Sequence, residues 1–139
     1  MVETRLPLTG GCGCGAVRFE IREPFVSANY CHCTRCQRRT GTAASANAHT
    51  APGSFHLLSG EEHLRAWAPE GGAAKVFCGL CGSALFSHRP GGDWMSVRLG
   101  AIDGDPGICP QWHQYVAYAA SWQPLPDDGL PRYPEARPS

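Results

Sequence analysis

Apolar and polar positions alternate along this chain in short runs cut by turns. In residues 15–22, Val17, Phe19 and Ile21 share one face while Arg18, Glu20 and Arg22 share the other. A period of two is the pattern of a strand with one buried face. Residues 27–31 read as a strand leading into a cysteine cluster. Residues 54–58, 63–67, 74–78, 84–87 and 93–99 read as further short strands. Turn sequences such as Ser59-Gly60, Glu70-Gly71-Gly72 and Pro90-Gly91-Gly92 separate them. Residues 42–49 are ambiguous: alanine favours helix, but Gly41 before them and Ala-Pro-Gly after them favour a strand between turns. Nowhere does a 3.6-residue apolar period persist over about 11 residues, the length at which a helix is readable. The pattern predicts a mainly β fold.

A length of 139 residues fits one domain, spanning 1–139. The last stretch, about residues 124–139, holds five prolines and reads as an extended arm with a frayed end. Twelve Lys+Arg against twelve Asp+Glu leave no basic excess for nucleic acid. No run approaches about 18 apolar residues, so no membrane-spanning segment is expected. Met1-Val-Glu-Thr-Arg-Leu-Pro-Leu8 has no apolar stretch of signal length. Eight cysteines without an export signal point to a reducing, cytoplasmic setting, where thiols bind metal or do chemistry.

Seven of those cysteines form three clusters: Cys12-Gly-Cys14, Cys31-His-Cys33-Thr-Arg-Cys36 and Cys78-Gly-Leu-Cys81. Sulfurs so spaced can aim at one ion, and are badly placed to disulfide-bond one another. Cys78-Gly-Leu-Cys81-Gly82 resembles a zinc knuckle; the same spacing also occurs in redox motifs, which normally open a helix in a β-α pattern that is lacking here. The glycines around Cys12 and Cys14 let the backbone wrap an ion, though such a run also serves as a flexible turn or a phosphate nest. Two ligands from each of these clusters complete a four-sulfur zinc site that contributes to folding. Cys31, Cys33 and Cys36 supply three thiolates and leave a fourth position for water or a substrate thiol. The alternative is that a histidine closes that position and the site is only structural. His32 lies between two ligands, where side chains point apart, so it reads as a neighbour rather than a ligand. Seven thiolates and two zinc ions would leave about three negative charges. Arg35, Arg38, Arg39 and Lys75 are near enough in sequence to balance them.

The order Gly11-Cys-Gly-Cys-Gly-Ala-Val-Arg-Phe19, Cys31-His-Cys-Thr-Arg-Cys-Gln-Arg-Arg-Thr-Gly41 and Phe77-Cys-Gly-Leu-Cys-Gly-Ser-Ala-Leu85 resembles the glutathione-dependent formaldehyde-activating enzyme family, which includes the centromere protein V group. The ending Ser121-Trp-Gln-Pro-Leu-Pro-Asp-Asp-Gly-Leu-Pro-Arg-Tyr-Pro134 is similar to that family's ending, and the likeness covers roughly residues 8–134. The resemblance implies a β-tent fold of antiparallel sheets around two zinc sites. It implies a structural zinc on Cys12, Cys14, Cys78 and Cys81, and a catalytic zinc on Cys31, Cys33 and Cys36. It also implies an activity: glutathione adds to formaldehyde to give S-hydroxymethylglutathione, a carbon–sulfur lyase reaction when reversed.

Three electron-rich thiolates make a poor Lewis acid, so thiol delivery is expected rather than strong carbonyl polarisation. Arg35, Arg38, Arg39 and His32 are the candidate substrate-binding residues, because guanidinium pairs well with the carboxylates of a glutathione-like thiol. The expected partners are such a thiol and a small aldehyde, with no nucleic acid and no membrane. Two other functions remain open: a zinc-binding interaction module without catalysis, whose long basic extension is missing here, and a thiol redox protein using Cys31, Cys33 and Cys36. His113 is a conceivable pocket neighbour. Cys109, alone before Pro110, reads as a small hydrophobe.

Overall fold

A computed structural model describes residues 5–138. Met1–Thr4 of the N-terminal segment and Ser139 of the arm lie outside the described residues. The strands run β1 (Leu8–Gly11), β2 (Arg18–Ile21), β3 (Ser27–Cys31), β4 (Ser45–His49), β5 (Phe55–Ser59), β6 (Leu64–Trp67), β7 (Ala74–Cys78), β8 (Ala84–His88), β9 (Ser96–Arg98) and β10 (His113–Gln114). One α-helix, α1 (Thr34–Thr40), lies between β3 and β4. The strands form a three-stranded sheet, β1-β2-β5, and a seven-stranded sheet, β10-β3-β4-β9-β8-β7-β6. All pairings are antiparallel except β10 with β3.

Register across the larger sheet explains its two faces. Ala28 pairs with Ala48, Ala48 with Val97, Val97 with Phe86, and Phe86 with Val76. This apolar row packs in one core with Leu8, Phe19 and Ile21 of the smaller sheet. The Phe19 and Phe55 rings stack at 5.1 Å, and Phe55 meets Phe86 at 4.8 Å across the two sheets. One residue along, the register is polar: Asn29 pairs with Asn47 and Asn47 with Arg98. Those side chains belong to the opposite face, away from the core.

Phe19 is fully buried. Phe19→Ala is expected to cost about 3–5 kcal/mol, since it removes a fully buried ring that stacks on Phe55 in the core between the sheets and leaves a cavity. Urea unfolding checks this; a loss below 1 kcal/mol would contradict the core as described.

The sequence pattern missed three elements. β1 reads Leu-Thr-Gly-Gly, and its glycines hide the alternation. Gly10 is required because a Cβ there would press into the Phe19 ring and the Ala101 carbonyl. β10 has only two residues and forms through tertiary pairing. The helix α1 has seven residues with one buried, too short for an apolar period. It starts because the Cys33 sulfur accepts the Cys36 amide, and it ends at left-handed Gly41, whose amide bonds the Gln37 carbonyl at 2.8 Å. The ambiguous segment 42–49 contains β4, so the turn residues outweighed the alanines.

The arm also departs from expectation. Its described residues are pinned along β10 rather than frayed: the His113 amide bonds Pro131, Tyr133 bonds back to His113, and Tyr115 bonds Glu135. Arg137 stacks 4.2 Å over the Trp112 ring. No helix among the described residues is long and apolar enough to cross a membrane.

Candidate metal centres and the adjoining cleft

The fold gathers the seven clustered cysteines into two sites, and each group's sulfurs all lie within 4.8 Å of one another. The first holds Cys12, Cys14, Cys78 and Cys81. Cys12 and Cys14 follow β1, Cys78 ends β7, and Cys81 sits in the β7–β8 turn. The site therefore ties the smaller sheet to the larger one. Sγ–Sγ separations are 3.6 Å for Cys12–Cys14 and 3.9 Å for Cys14–Cys78. Tetrahedral zinc with Zn–S near 2.3 Å needs about 3.8 Å between sulfurs, and a disulfide needs about 2.05 Å. The donor set therefore fits a metal and not a disulfide. Backbone geometry supports it. The Val17 amide bonds Cys12 Sγ at 3.2 Å, and Ser83 bonds Cys81 Sγ at 3.2 Å. Gly82 has φ of 79°, the left-handed turn that glycine permits after the second cysteine. Hydrogen bonds from Ser83 bring the Cys81 thiol down to about 5, while Cys14, although lowered by the Ala16 amide, is pushed up to about 11 chiefly by Cys12. Thiolates this close cannot all ionise without a cation.

The second site holds Cys31, Cys33 and Cys36. Cys31 is the last residue of β3, Cys33 caps α1, and Cys36 lies one turn in, so the strand-to-helix corner converges the three sulfurs. Here too ionisation is unequal. Bonds from Cys31 and Cys33 hold Cys36 far below the usual thiol range, and Cys31, which donates to Cys33 and Cys36, is driven far up. No fourth Cys, His, Asp or Glu joins this group among the described residues. The set fits a divalent metal with one position free of protein ligands.

Beside these sulfurs lies a cleft of two compartments that share part of their lining. The outer, about 470 Å³, is lined by Cys33, Thr34, Arg35, Tyr115 and Tyr118 among others. The inner, about 210 Å³, is lined by Asn47, Arg39, Ser87 and Arg98 among others. Cys31, Cys36 and Lys75 border both.

Four sequence-expected residues fall in different places. Arg39 turns inward: its Nη2 lies 3.8 Å from Cys36 Sγ, and its buried Nε and Nη1 have no partner. Arg35 stands at the outer rim, donating to the Glu70 carbonyl at 3.2 Å. Arg38 is exposed and lines neither compartment. His32 also lines neither compartment. Its buried ring bonds His113 at 2.8 Å, and His113 bonds Asp128 at 2.7 Å. With the Asp128 carboxylate accepting from His113 Nε2, a neutral His113 accepts from His32 Nε2 through Nδ1. Burial lowers the His32 pKa. The chain fastens the arm to the back of the cysteine corner.

Asp128 is held below the usual carboxylate range by His113 and then by the Leu130 amide. A depressed folded pKa gives stability that is complete above about 3.9 and is lost as pH falls through the folded value. Asp128→Asn at neutral pH, or wild type below about pH 4, is therefore expected to release the arm. At neutral pH, trypsin cleavage after Arg132 reports it for the variant, and pepsin cleavage in the arm reports it for the acidified wild type; equal trypsin cleavage in wild type and variant would contradict the role.

Sequence reasoning missed Arg98, Asn47 and Ser87. Arg98 Nη1 donates to Asn47 Oδ1 at 2.7 Å and its Nη2 donates to Ser87 Oγ, while Nε is buried without a partner. Burial, and then the Arg39 charge, lower its pKa to about 10.

Residues 7–118 match the family described as glutathione-dependent formaldehyde-activating enzyme. The chain belongs to that family. All seven clustered cysteines lie inside the matched region. A Halomonas elongata protein, provisionally described as a glutathione-dependent formaldehyde-activating enzyme, is 30% identical over 89 residues. The alignment covers 60% of this chain and 57% of that relative, so the chain spans little more than half its length. A crystal structure of a Rhodobacter sphaeroides protein superposes with a TM-score of 0.59 at 22% identity, covering 90% of this chain and 98% of that one. That likeness is one of fold. For the family, glutathione-dependent formaldehyde activation is the activity class its name carries.

Proposed function

We propose that this protein is a zinc-dependent thiol-adduct enzyme acting as one catalytic domain, joining a glutathione-type thiol to a small aldehyde or cleaving the product as a carbon–sulfur lyase. The observation that carries it is the unequal pair of cysteine sites: four sulfurs in one, three in the other, with the three facing a cleft. Cys12, Cys14, Cys78 and Cys81 would hold a structural zinc; Cys31, Cys33 and Cys36 would hold a catalytic one. Zinc bound at the second group supplies a lowered thiol pKa and hence a thiolate near neutral pH.

The chain's own residues then bind and orient. The outer compartment accepts the thiol, and Arg35 at its rim meets a peptide carboxylate. Tyr115 and Tyr118 wall the cleft, holding the thiol within reach of the aldehyde. In the adduct step a C–S bond forms, the carbonyl π pair moves to oxygen, and that oxygen takes up one proton.

The test is NMR exchange between hydrated ¹³C-formaldehyde and its glutathione adduct, with metal-loaded protein. The exchange rate should rise in proportion to protein concentration. No dependence on protein would sink the proposal for this substrate pair.

A further inference from the structure

The inner compartment is more cationic than the cysteine cluster requires. Arg39, Lys75, Arg89 and Arg98 line it, and among the described residues no Asp or Glu lines either compartment. A metal-loaded three-thiolate cluster carries about one net negative charge, so it leaves most of that positive charge unbalanced. Among the described residues, only one guanidinium atom, Arg39 Nη2, reaches a sulfur. Arg39 Nε and Nη1 and Arg98 Nε are buried donors without partners. Arg98 is only 8% exposed, and Asn47 and Ser87 fix its orientation. Buried donors left empty on two neighbouring guanidiniums call for an anionic acceptor, and a carboxylate matches their geometry.

We infer that this compartment is a carboxylate subsite, and that the carbonyl compound handled at Cys31, Cys33 and Cys36 is a short oxo acid held by Arg39 and Arg98. This rests on the thiol-adduct reading above and names its second substrate. Size favours the oxo acid over a carboxylate of the thiol peptide. The inner compartment, about 210 Å³, falls below the roughly 300–1,000 Å³ of sites that enclose larger ligands. The outer one, about 470 Å³, is left for the peptide. Proximity sets the chain length. Because Arg39 lies 3.8 Å from Cys36 Sγ, a carboxylate on Arg39 puts an adjacent carbonyl carbon beside the sulfurs. The reaction balances: the thiolate sulfur bonds the aldehyde carbon, the carbonyl pair moves to oxygen, and that oxygen takes a proton equivalent to the one the thiol lost. Formaldehyde, with no charge, has no use for such a chamber.

The test compares glyoxylate with glycolaldehyde, a neutral aldehyde of similar size, on metal-loaded protein with glutathione. Glyoxylate should half-saturate at a concentration at least tenfold lower. Arg98→Gln and, as a less buried second variant, Arg39→Gln should each erase that preference. Calorimetry should show glyoxylate still binding when S-methylglutathione is saturating. Equal half-saturation for the two aldehydes would overturn the inference. Exclusion of glyoxylate by S-methylglutathione would also overturn it, giving the pocket to the peptide's own carboxylate. Glyoxylate binding with no adduct from any aldehyde would overturn the substrate role by removing the activity beneath it, while leaving an anion site.

Discussion

Cys78→Ser is expected to unfold the protein or leave it on the edge of unfolding at 37 °C. Cys78 is fully buried at the end of β7, and its sulfur lies 3.9 Å from that of Cys14, in the turn that follows β1 of the other sheet. A structural zinc contributes on the order of 10 kcal/mol to folding, and a whole domain is stable by about 5–15 kcal/mol. Loss of one of four thiolates therefore removes an amount comparable to the whole margin. The inter-sheet core remains, which is why some compaction should survive. Thermal unfolding followed by circular dichroism should show Tm falling by about 20 °C or more. A fall of only a few degrees would mean that this cluster is not a structural metal site.

Cys33→Ser should do the reverse, keeping the fold and losing turnover. Cys33 is partly exposed and faces the outer compartment. Its structural contribution is the cap on α1, where its sulfur accepts the Cys36 amide at 3.3 Å, and serine is itself a preferred cap. Stability should change by less than about 1 kcal/mol apart from any metal lost with the thiolate. Turnover should fall about 100-fold or more, because several kcal/mol of activation is what a metal site supplies. Steady-state rates beside a thermal melt separate the two effects. Full activity in this variant would show that the cysteine corner is not the reacting site.

Each cysteine cluster was legible in the sequence because ligands one to three residues apart must be neighbours in any fold; joining Cys12 and Cys14 to Cys78 and Cys81 rested instead on two ligands from each cluster completing a four-sulfur set. Strands with clean alternation, such as β2, were legible for the same local reason. Arg98 was not. On an alternating strand an arginine reads as solvent-facing, and its burial depends on Asn47, its register partner 51 residues away. His32 misled in the other direction. Its place between two cysteines put it near the site in sequence, but alternation past the end of β3 turns its ring to His113 and the arm. Gly10 shows a third limit: the close approach that requires glycine also erased the strand signal.

If the proposed function holds, one cysteine site is closed by four protein thiolates and the other is open to a thiol. Zinc per chain, counted by mass spectrometry before and after dialysis against excess glutathione, tests it most directly. Two zinc ions are expected before and one after, with the survivor lost when Cys78 is replaced. Two ions retained together, or two lost together, would contradict it.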